Sequence, residues 1–336
     1  MYLTQIPVSA MFWIRNGTRS GFGTGAAMKL IDVTRDFNTD DRCLDYLERM
    51  RWPMGLACLH CGSQKVSRVT RESKSRNKRT RLYQCLEKGC KHQFSPTAGT
   101  IFHDSHLPLT KWFMAIALIC EAKKGISACQ IQRHLGINYR TAWHLCHRIR
   151  QATKETGMLE GVVEVDETYL HPKRHRKGHP RPKKKEPDVV LGMIERGGRL
   201  RFVALPDAKM SSIEPEVLKH VSPDATLQTD SGVVYGIIGR RNYPEQHRMI
   251  DHIKSYGIGE NHTNTIENAF SLLKRGVYGT FHKVSIKHLP RYCNEFSYRF
   301  NRRESQPELF AETTKNLLHG ERLTYKRLTA SAGAVS

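Results

Sequence analysis

The chain has 336 residues, with 54 lysines and arginines against 32 aspartates and glutamates, for a formal net charge of +22 at pH 7. That length allows two or three domains with at least one sizeable core. The surplus favours a polyanionic partner, because each phosphate neutralised by Lys or Arg releases condensed counterions. No stretch approaches the roughly 20 apolar residues that span a bilayer, which argues against a membrane partner.

Residues 1–27 are rich in Gly, Ser and Thr and hold no sustained period, so they read as a disordered extension, with Met28 as a second candidate start. They lack the basic start and small-residue cleavage pattern of a secretory signal. Nine cysteines, an odd number, make a disulfide framework unexpected without export. The expectation is a cytoplasmic, nucleoid-associated bacterial protein with reduced thiols.

Residues 28–100 read as an N-terminal helix and a zinc ribbon. Cys58-Leu-His-Cys61 and Cys85-Leu-Glu-Lys-Gly-Cys90 are separated by 23 residues. Two tight pairs, each on a turn, can set four thiolates tetrahedrally around one Zn²⁺. Gly62 and Gly89 supply turn chemistry, and Tyr83 and Phe94 would pack the module. The intervening basic stretch, Arg71 to Arg81, suits a hairpin tip on phosphates. Cys43, Cys120, Cys129, Cys146 and Cys293 lack such spacing and read as core thiols, with His60 and His92 as minor substitute ligands.

Residues 101–157 read as helices. Trp112, Ile116 and Ile119 mark one apolar face. From Ile126 to Leu145 the grammar is that of a helix-turn-helix. Ser127 caps a first helix closed by Leu135, Gly136 permits a sharp turn, and Asn138 caps a second. Asn138, Tyr139, Arg140, Thr141 and His144 then stand near the start of the second helix, where base edges are read.

From residue 158 to 305 the character changes. Gly161–Leu170, Val189–Glu195 and Leu200–Pro206 read as strands, Ser211–Val221 as a helix and Ala225–Asp230 as a fourth strand, with a long helix from Thr265 to Gly276. Between the first two strands, residues 171–186 hold eight Lys/Arg and three prolines. Such a segment cannot bury a core, and a mobile loop in reach of DNA is expected. Residues 306–336 read as a C-terminal tail.

Three carboxylates stand out. In the first strand Val163 and Val165 share one face, and Glu164 and Asp166 the other. Asp230 ends the fourth strand, followed at once by turn residues. In the long helix Ile266, Phe270, Leu273 and Val277 form a buried stripe, and Glu267, Ser271 and Lys274 line its edge. Two strand-end acids and a helix acid suit hard cations on oxygen ligands. Two Mg²⁺ held there would clamp the attacking and leaving oxygens of a phosphodiester. Glu164 and Glu167 fall outside this set, and Glu167 should point away from Asp166 by the alternation of the strand.

At these residues the sequence resembles the insertion-sequence DDE transposases of the zinc-ribbon, Merlin-related group. The likeness covers roughly residues 40–305. It is carried by Glu164-Val-Asp166-Glu-Thr-Tyr169, Thr229-Asp230, His262-Thr-Asn-Thr-Ile-Glu267, Phe270-Ser-Leu-Leu-Lys274 with the following residues to Ser285, and Tyr298-Arg-Phe-Asn-Arg-Arg303. The resemblance implies an RNase H-like catalytic core, a triad at Asp166, Asp230 and Glu267, a following Lys274, Mg²⁺, and cutting and joining at terminal inverted repeats. Leu170-His171-Pro172 departs from the paired glycines expected there. The expectation is therefore a multidomain α/β chain: a zinc ribbon, a helix-turn-helix, then a mixed sheet flanked by helices. It would cut element ends with two Mg²⁺ and join their 3′-OH groups to target DNA, as a homo-oligomer in the synaptic complex and with no small-molecule substrate. The alternatives are an inactive zinc-ribbon and helix-turn-helix regulator, or a related Mg²⁺-dependent nuclease. Three intact acids favour the enzyme.

Overall fold

The computed structural model describes residues 28–69, 81–170, 188–250 and 263–330. The 1–27 extension, the Arg71–Arg81 stretch before Arg81, the basic segment 171–186, His262 and the last six residues lie outside them. The described residues fall into two compact units. One runs up to Ala117 and takes in Ser305–Arg322; the other holds Leu118–Glu304 and the residues from Leu323 onward.

The first unit opens with α1 (Leu30–Asp36) and α2 (Asp40–Arg51). The side chain of Thr39 accepts the Arg42 amide at 3.3 Å and so caps α2. Three short antiparallel strands follow, β1 (Val66–Arg68), β2 (Tyr83–Cys85) and β3 (Gln93–Phe94). Tyr83 and Phe94 pack over them, as the sequence suggested, and Trp52 joins them. Arg81 departs from the phosphate-facing expectation: its side chain is 10 % exposed and pairs with Asp45 at 2.6 Å and Glu48 at 2.9 Å. Two acids on the facing side of α2 hold it more firmly than a solvated tip would. Next comes α3 (Leu109–Glu121), whose Phe113 meets Phe37 edge-on at 4.7 Å between ring centres.

In the second unit α4 (Ala128–Leu135) and α5 (Tyr139–Gln151) form a tight pair. The sheet that follows alternates cleanly. Strand β5 (Asp188–Glu195) runs antiparallel to both of its neighbours, β4 (Val162–Leu170) and β6 (Leu200–Leu205). Helix α6 (Met210–His220) then leads to β7 (Thr226–Asp230), parallel to β4, and α7 (Val233–Asn242) leads to β8 (His247–Ile250), parallel to β7. The spatial order is β6-β5-β4-β7-β8.

Successive side chains on a strand point to opposite faces, so the sheet carries two cores. Val163, Val165, Leu191, Met193 and Leu227 pack against Ile213 and Val217 of α6 and Tyr235 and Ile238 of α7. On the other face Val190, Ile194, Leu200 and Phe202 meet Ile266, Phe270 and Leu273 of α8 (Asn264–Gly276) and Phe296 of α9 (Leu289–Asn301). A π-helical turn, Val277–Phe281, continues α8. The motif at Tyr298–Arg303 has a structural use: Asn301 accepts the Leu200 amide at 2.6 Å and returns a hydrogen bond to its carbonyl at 3.1 Å, tying α9 to the outer strand β6.

The segment from 306, read as a tail, is helical. Helix α10 (Gln306–His319) places Phe310 against Phe113 in the first unit, and α11 (Tyr325–Thr329) belongs to the second. No helix among the described residues is long and apolar enough to cross a membrane.

Candidate active site and metal centre

The four predicted cysteines converge. The sulfurs of Cys58, Cys61, Cys85 and Cys90 all lie within 4.8 Å of one another. Cys58 and Cys90 are 3.7 Å apart, and Cys61 and Cys85 3.6 Å. They sit on two turns joined by the β1–β2–β3 sheet, so the hairpin geometry fixes their spacing. Burial opposes ionisation of Cys58, but amide and thiol hydrogen bonds from Cys61, His60 and Cys90 outweigh it and bring the thiol down to about 7. Cys85 is held the other way, pushed up to about 12 by burial. Four soft sulfur donors at this spacing fit one tetrahedral Zn²⁺, whose charge would favour the thiolate forms. His60 Nδ1 lies 3.5 Å from the Cys90 sulfur, beside the set rather than in it. Of the remaining cysteines, Cys43, Cys120, Cys146 and Cys293 are buried, as expected of core thiols; Cys129 is exposed.

The acidic constellation is built by the sheet. Val165 pairs with Thr229 across the parallel β4–β7 ladder, so Asp166 and Asp230 stand side by side one residue further on. By alternation both face α8, and Glu267 lies in the first turn of that helix. Burial pushes the Asp166 carboxyl up to about 7; the Glu167 amide, 2.8 Å away, opposes this, and the charges of Glu167, Asp230 and Glu267 add to it. Asp230 accepts the Gly232 amide at 3.0 Å, which turns the chain into α7. Asp166 and Asp230 are half-buried and Glu267 is exposed. They are spread more widely than the cysteines, which are the only metal-ligating group among the described residues to meet the 4.8 Å spacing. Lys274 stands half-buried in the last turn of α8.

The two glutamates set aside at the sequence level have defined places. Glu167 points to the opposite face, as its alternation predicts, and accepts the hydroxyl of buried Tyr235 from α7. Burial, then the Glu167 charge, push that tyrosine well above its usual range. Glu164 is fully buried and reaches α8: its Oε2 accepts the amides of Thr265 and Ile266, both at 3.0 Å. Nothing local in sequence announces this partner, which lies about a hundred residues away.

In the helix pair, Ser127 accepts the Gln130 amide at 3.2 Å and Asn138 accepts the Thr141 amide at 2.8 Å. Gly136 adopts φ +58°, the left-handed conformation that closes α4. Tyr139 is exposed. Arg140 lies over the ring of Tyr325 in α11 at 4.1 Å, and His144 donates from Nε2 to the Leu323 carbonyl at 3.2 Å. Two of the five predicted base-contacting residues therefore lean on the C-terminal segment.

Comparison with known proteins agrees with this layout. The family model described as "Transposase zinc-ribbon domain" matches residues 38–93. The "ISXO2-like transposase domain" matches residues 158–301. Together they span more than half of the chain. An uncharacterized protein in transposable element ISH50 of Halobacterium salinarum is 25 % identical over 286 residues, covering 79 % of this chain and 92 % of that protein. An uncharacterized transposase-like protein of Haemophilus influenzae is 24 % identical over 107 residues, covering 32 % of this chain and 85 % of that protein. No solved structure matches. With a four-cysteine ribbon ahead of a mixed sheet whose strand ends present paired acids, the chain belongs to the insertion-sequence transposases that combine a zinc ribbon with an ISXO2-like transposase domain.

Proposed function

We propose that the chain cuts the ends of its mobile element and joins the freed 3′-OH ends to target DNA, with Asp166, Asp230 and Glu267 as its catalytic acids. The observation that carries this reading is the juxtaposition of Asp166 and Asp230 at the ends of adjacent parallel strands, with the first turn of α8 bearing Glu267 on the same face. The order β6-β5-β4-β7-β8, three antiparallel strands and then two parallel ones, is read as an RNase H-like arrangement.

Three carboxylates brought to one face of the sheet form a hard oxygen donor set, which suits two Mg²⁺. When bound, such ions lower the pKa of an attacking water or hydroxyl and stabilise the departing oxyanion. The protein's own part is positional. Asp166 and Asp230 sit at the ends of adjacent strands, and Glu267 stands in the first turn of α8 on the same face. Lys274, two turns along, offers a cation for the phosphate beside the scissile bond. Cys58, Cys61, Cys85 and Cys90 would hold one structural Zn²⁺. Helices α4 and α5 would act as a helix-turn-helix, with Asn138, Tyr139, Arg140, Thr141 and His144 at its DNA-facing end. Terminal inverted repeats and target duplex are the partners this implies, with the chain assembling as a homo-oligomer around paired ends.

The deciding experiment uses Asp230→Asn. Removing one carboxylate from a crowded set relieves repulsion, so folding and repeat-DNA binding should persist. Single-turnover cleavage in Mg²⁺ should fall at least ~100-fold. Cleavage near the wild-type rate would move the active site elsewhere.

A further inference from the structure

Helix α8 begins without a cap of its own. Thr263 occupies the N-cap position, yet its side chain makes no capping hydrogen bond. The amides left over at a helix start are those of the second and third residues, and a cap side chain accepts them. Here these are Thr265 and Ile266, and both go to Glu164 Oε2 at 3.0 Å. The other oxygen, Oε1, accepts the Thr265 hydroxyl at 2.8 Å and Arg196 Nε at 3.3 Å. Glu164 is a cap supplied from another element, and its negative charge also suits the positive end of the helix.

The placement of this cap is specific. Glu164 lies two residues before Asp166 on the same face of β4. Thr265 lies two residues before Glu267. Gln228, paired with Glu164 in the β4–β7 register, lies two residues before Asp230. Arg196 completes the set, donating from Nη2 to Gln228 Oε1 at 2.7 Å while its Nε meets Glu164. Each proposed catalytic acid is thus preceded, at the same offset, by a residue of one hydrogen-bonded network. A carboxylate with four donors around it, wholly buried, is a costly thing to keep unless its partners need it.

We infer that Glu164 is a positioning residue: it fixes the first turn of α8, and therefore Glu267, against the strands that carry Asp166 and Asp230. The inference rests on the triad reading above. Glu164 does not itself face the reacting atoms; its four donors occupy both of its oxygens.

The test compares Glu164→Ala and Glu164→Gln in the full chain. Both amides converge on one oxygen, so a glutamine can keep them while losing the charge. An alanine loses both. Hydrogen exchange at residues 263–267 should quicken about tenfold in Glu164→Ala, the size expected for a lost cap, and stay within about threefold of wild type in Glu164→Gln. Mn²⁺ affinity measured by calorimetry should weaken about tenfold in the alanine variant, with kcat falling and the Kd for repeat DNA unchanged, because one ligand is no longer held in place. Thr265→Ala, which removes only a hydroxyl donor, should move the same readouts in the same direction by about threefold and serves if Glu164→Ala fails to fold.

Unchanged exchange in the alanine variant, or unchanged exchange in Thr265→Ala where the alanine variant cannot be made, overturns the inference. So does Glu164→Gln losing Mn²⁺ while its amides stay protected, since that marks a metal ligand. If wild-type chain neither binds Mn²⁺ nor cuts, the triad reading fails, while the exchange arm still decides whether Glu164 caps α8.

Discussion

Gly192 lies directly opposite Asp166 in the β4–β5 ladder, and α8 rests on the space that its missing side chain leaves. A Cβ built there would come within 2.7 Å of both Ile266 Cδ1 and Phe270 Cζ. Real Cβ atoms do not approach that closely, and both neighbours belong to a fully packed face. Gly192→Ala should therefore push α8 off the sheet and cost about 1–3 kcal/mol of stability, the range for overpacking a core. Because the same helix carries Glu267, single-turnover cleavage should drop more than the loss of folded protein accounts for. A variant with wild-type Tm and rate would show that α8 can shift freely without consequence.

The ribbon makes a cleaner prediction. Four sulfurs within 4.8 Å of one another have little reason to be so close except on a metal. Purified protein should carry about one zinc per chain, and Cys85→Ser should abolish that content and melt the three-strand sheet around Trp52. Zinc is read by elemental mass spectrometry. Less than a tenth of an equivalent in protein prepared without chelators would remove the metal from the account.

Acid should destabilise the second unit through His147. Its ring is fully buried among Trp143, His288 and Tyr292, with no hydrogen-bond partner on either nitrogen among the described residues. Burial first, then the charges of Arg150, His288, Arg291 and His144, hold it down to about 2; burial brings His288 to about 4. Both folded values lie below the unfolded one of about 6.5. The unfolded chain therefore takes up protons that the fold refuses. Stability is full above pH 6.5 and declines as pH falls, by about 1.4 kcal/mol per unit for each fully refused proton. His147→Phe, which gives up no hydrogen bond, should show a shallower fall of Tm between pH 6.5 and 4.5. Parallel curves for the two proteins would place the acid sensitivity elsewhere.

Much of this architecture was legible because its signals are local. The alternation of Val163 and Val165 against Glu164 and Asp166 marks β4, and the stripe from Ile266 to Leu273 marks α8. Ser127, Gly136 and Asn138 announce the helix pair because a cap or a left-handed turn depends on one residue and its neighbours. What stayed hidden depends on distant partners. Helix α7 contains Gly236 and Gly239 and has no capping side chain, so no local signal marks Val233–Asn242 as a helix. The use of Glu164 is invisible without knowing that Thr265 and Ile266 arrive above it. Arg81 looked like part of a phosphate-binding run and turned inward because α2 offers Asp45 and Glu48. The helical nature of 306–319 follows from Phe310 finding the Phe37 and Phe113 rings, a contact spanning most of the chain.

Lys274 is where the bland and the functional readings separate most sharply. Helix α8 runs unbroken from Asn264 to Gly276. The seven residues from Glu267 to Lys274 turn through about 700°, which leaves the two within some 20° of one line and about 10.5 Å apart along the axis. A four-carbon stem from that point brings an ammonium toward the acids without entering their coordination sphere. Lys274 is half-buried and makes no ion pair among the described residues. As a contact to the phosphate flanking the scissile bond, it would hold the strand in line for attack. Lys274→Ala should then slow single-turnover cleavage roughly 10–100-fold, about 1.4–2.7 kcal/mol, while zinc content and repeat-DNA affinity stay close to wild type. Lys274→Arg should recover part of the rate, since a phosphate contact needs charge more than one fixed geometry. A solvated surface lysine predicts no change from either substitution, and a wild-type rate for Lys274→Ala would assign it that role.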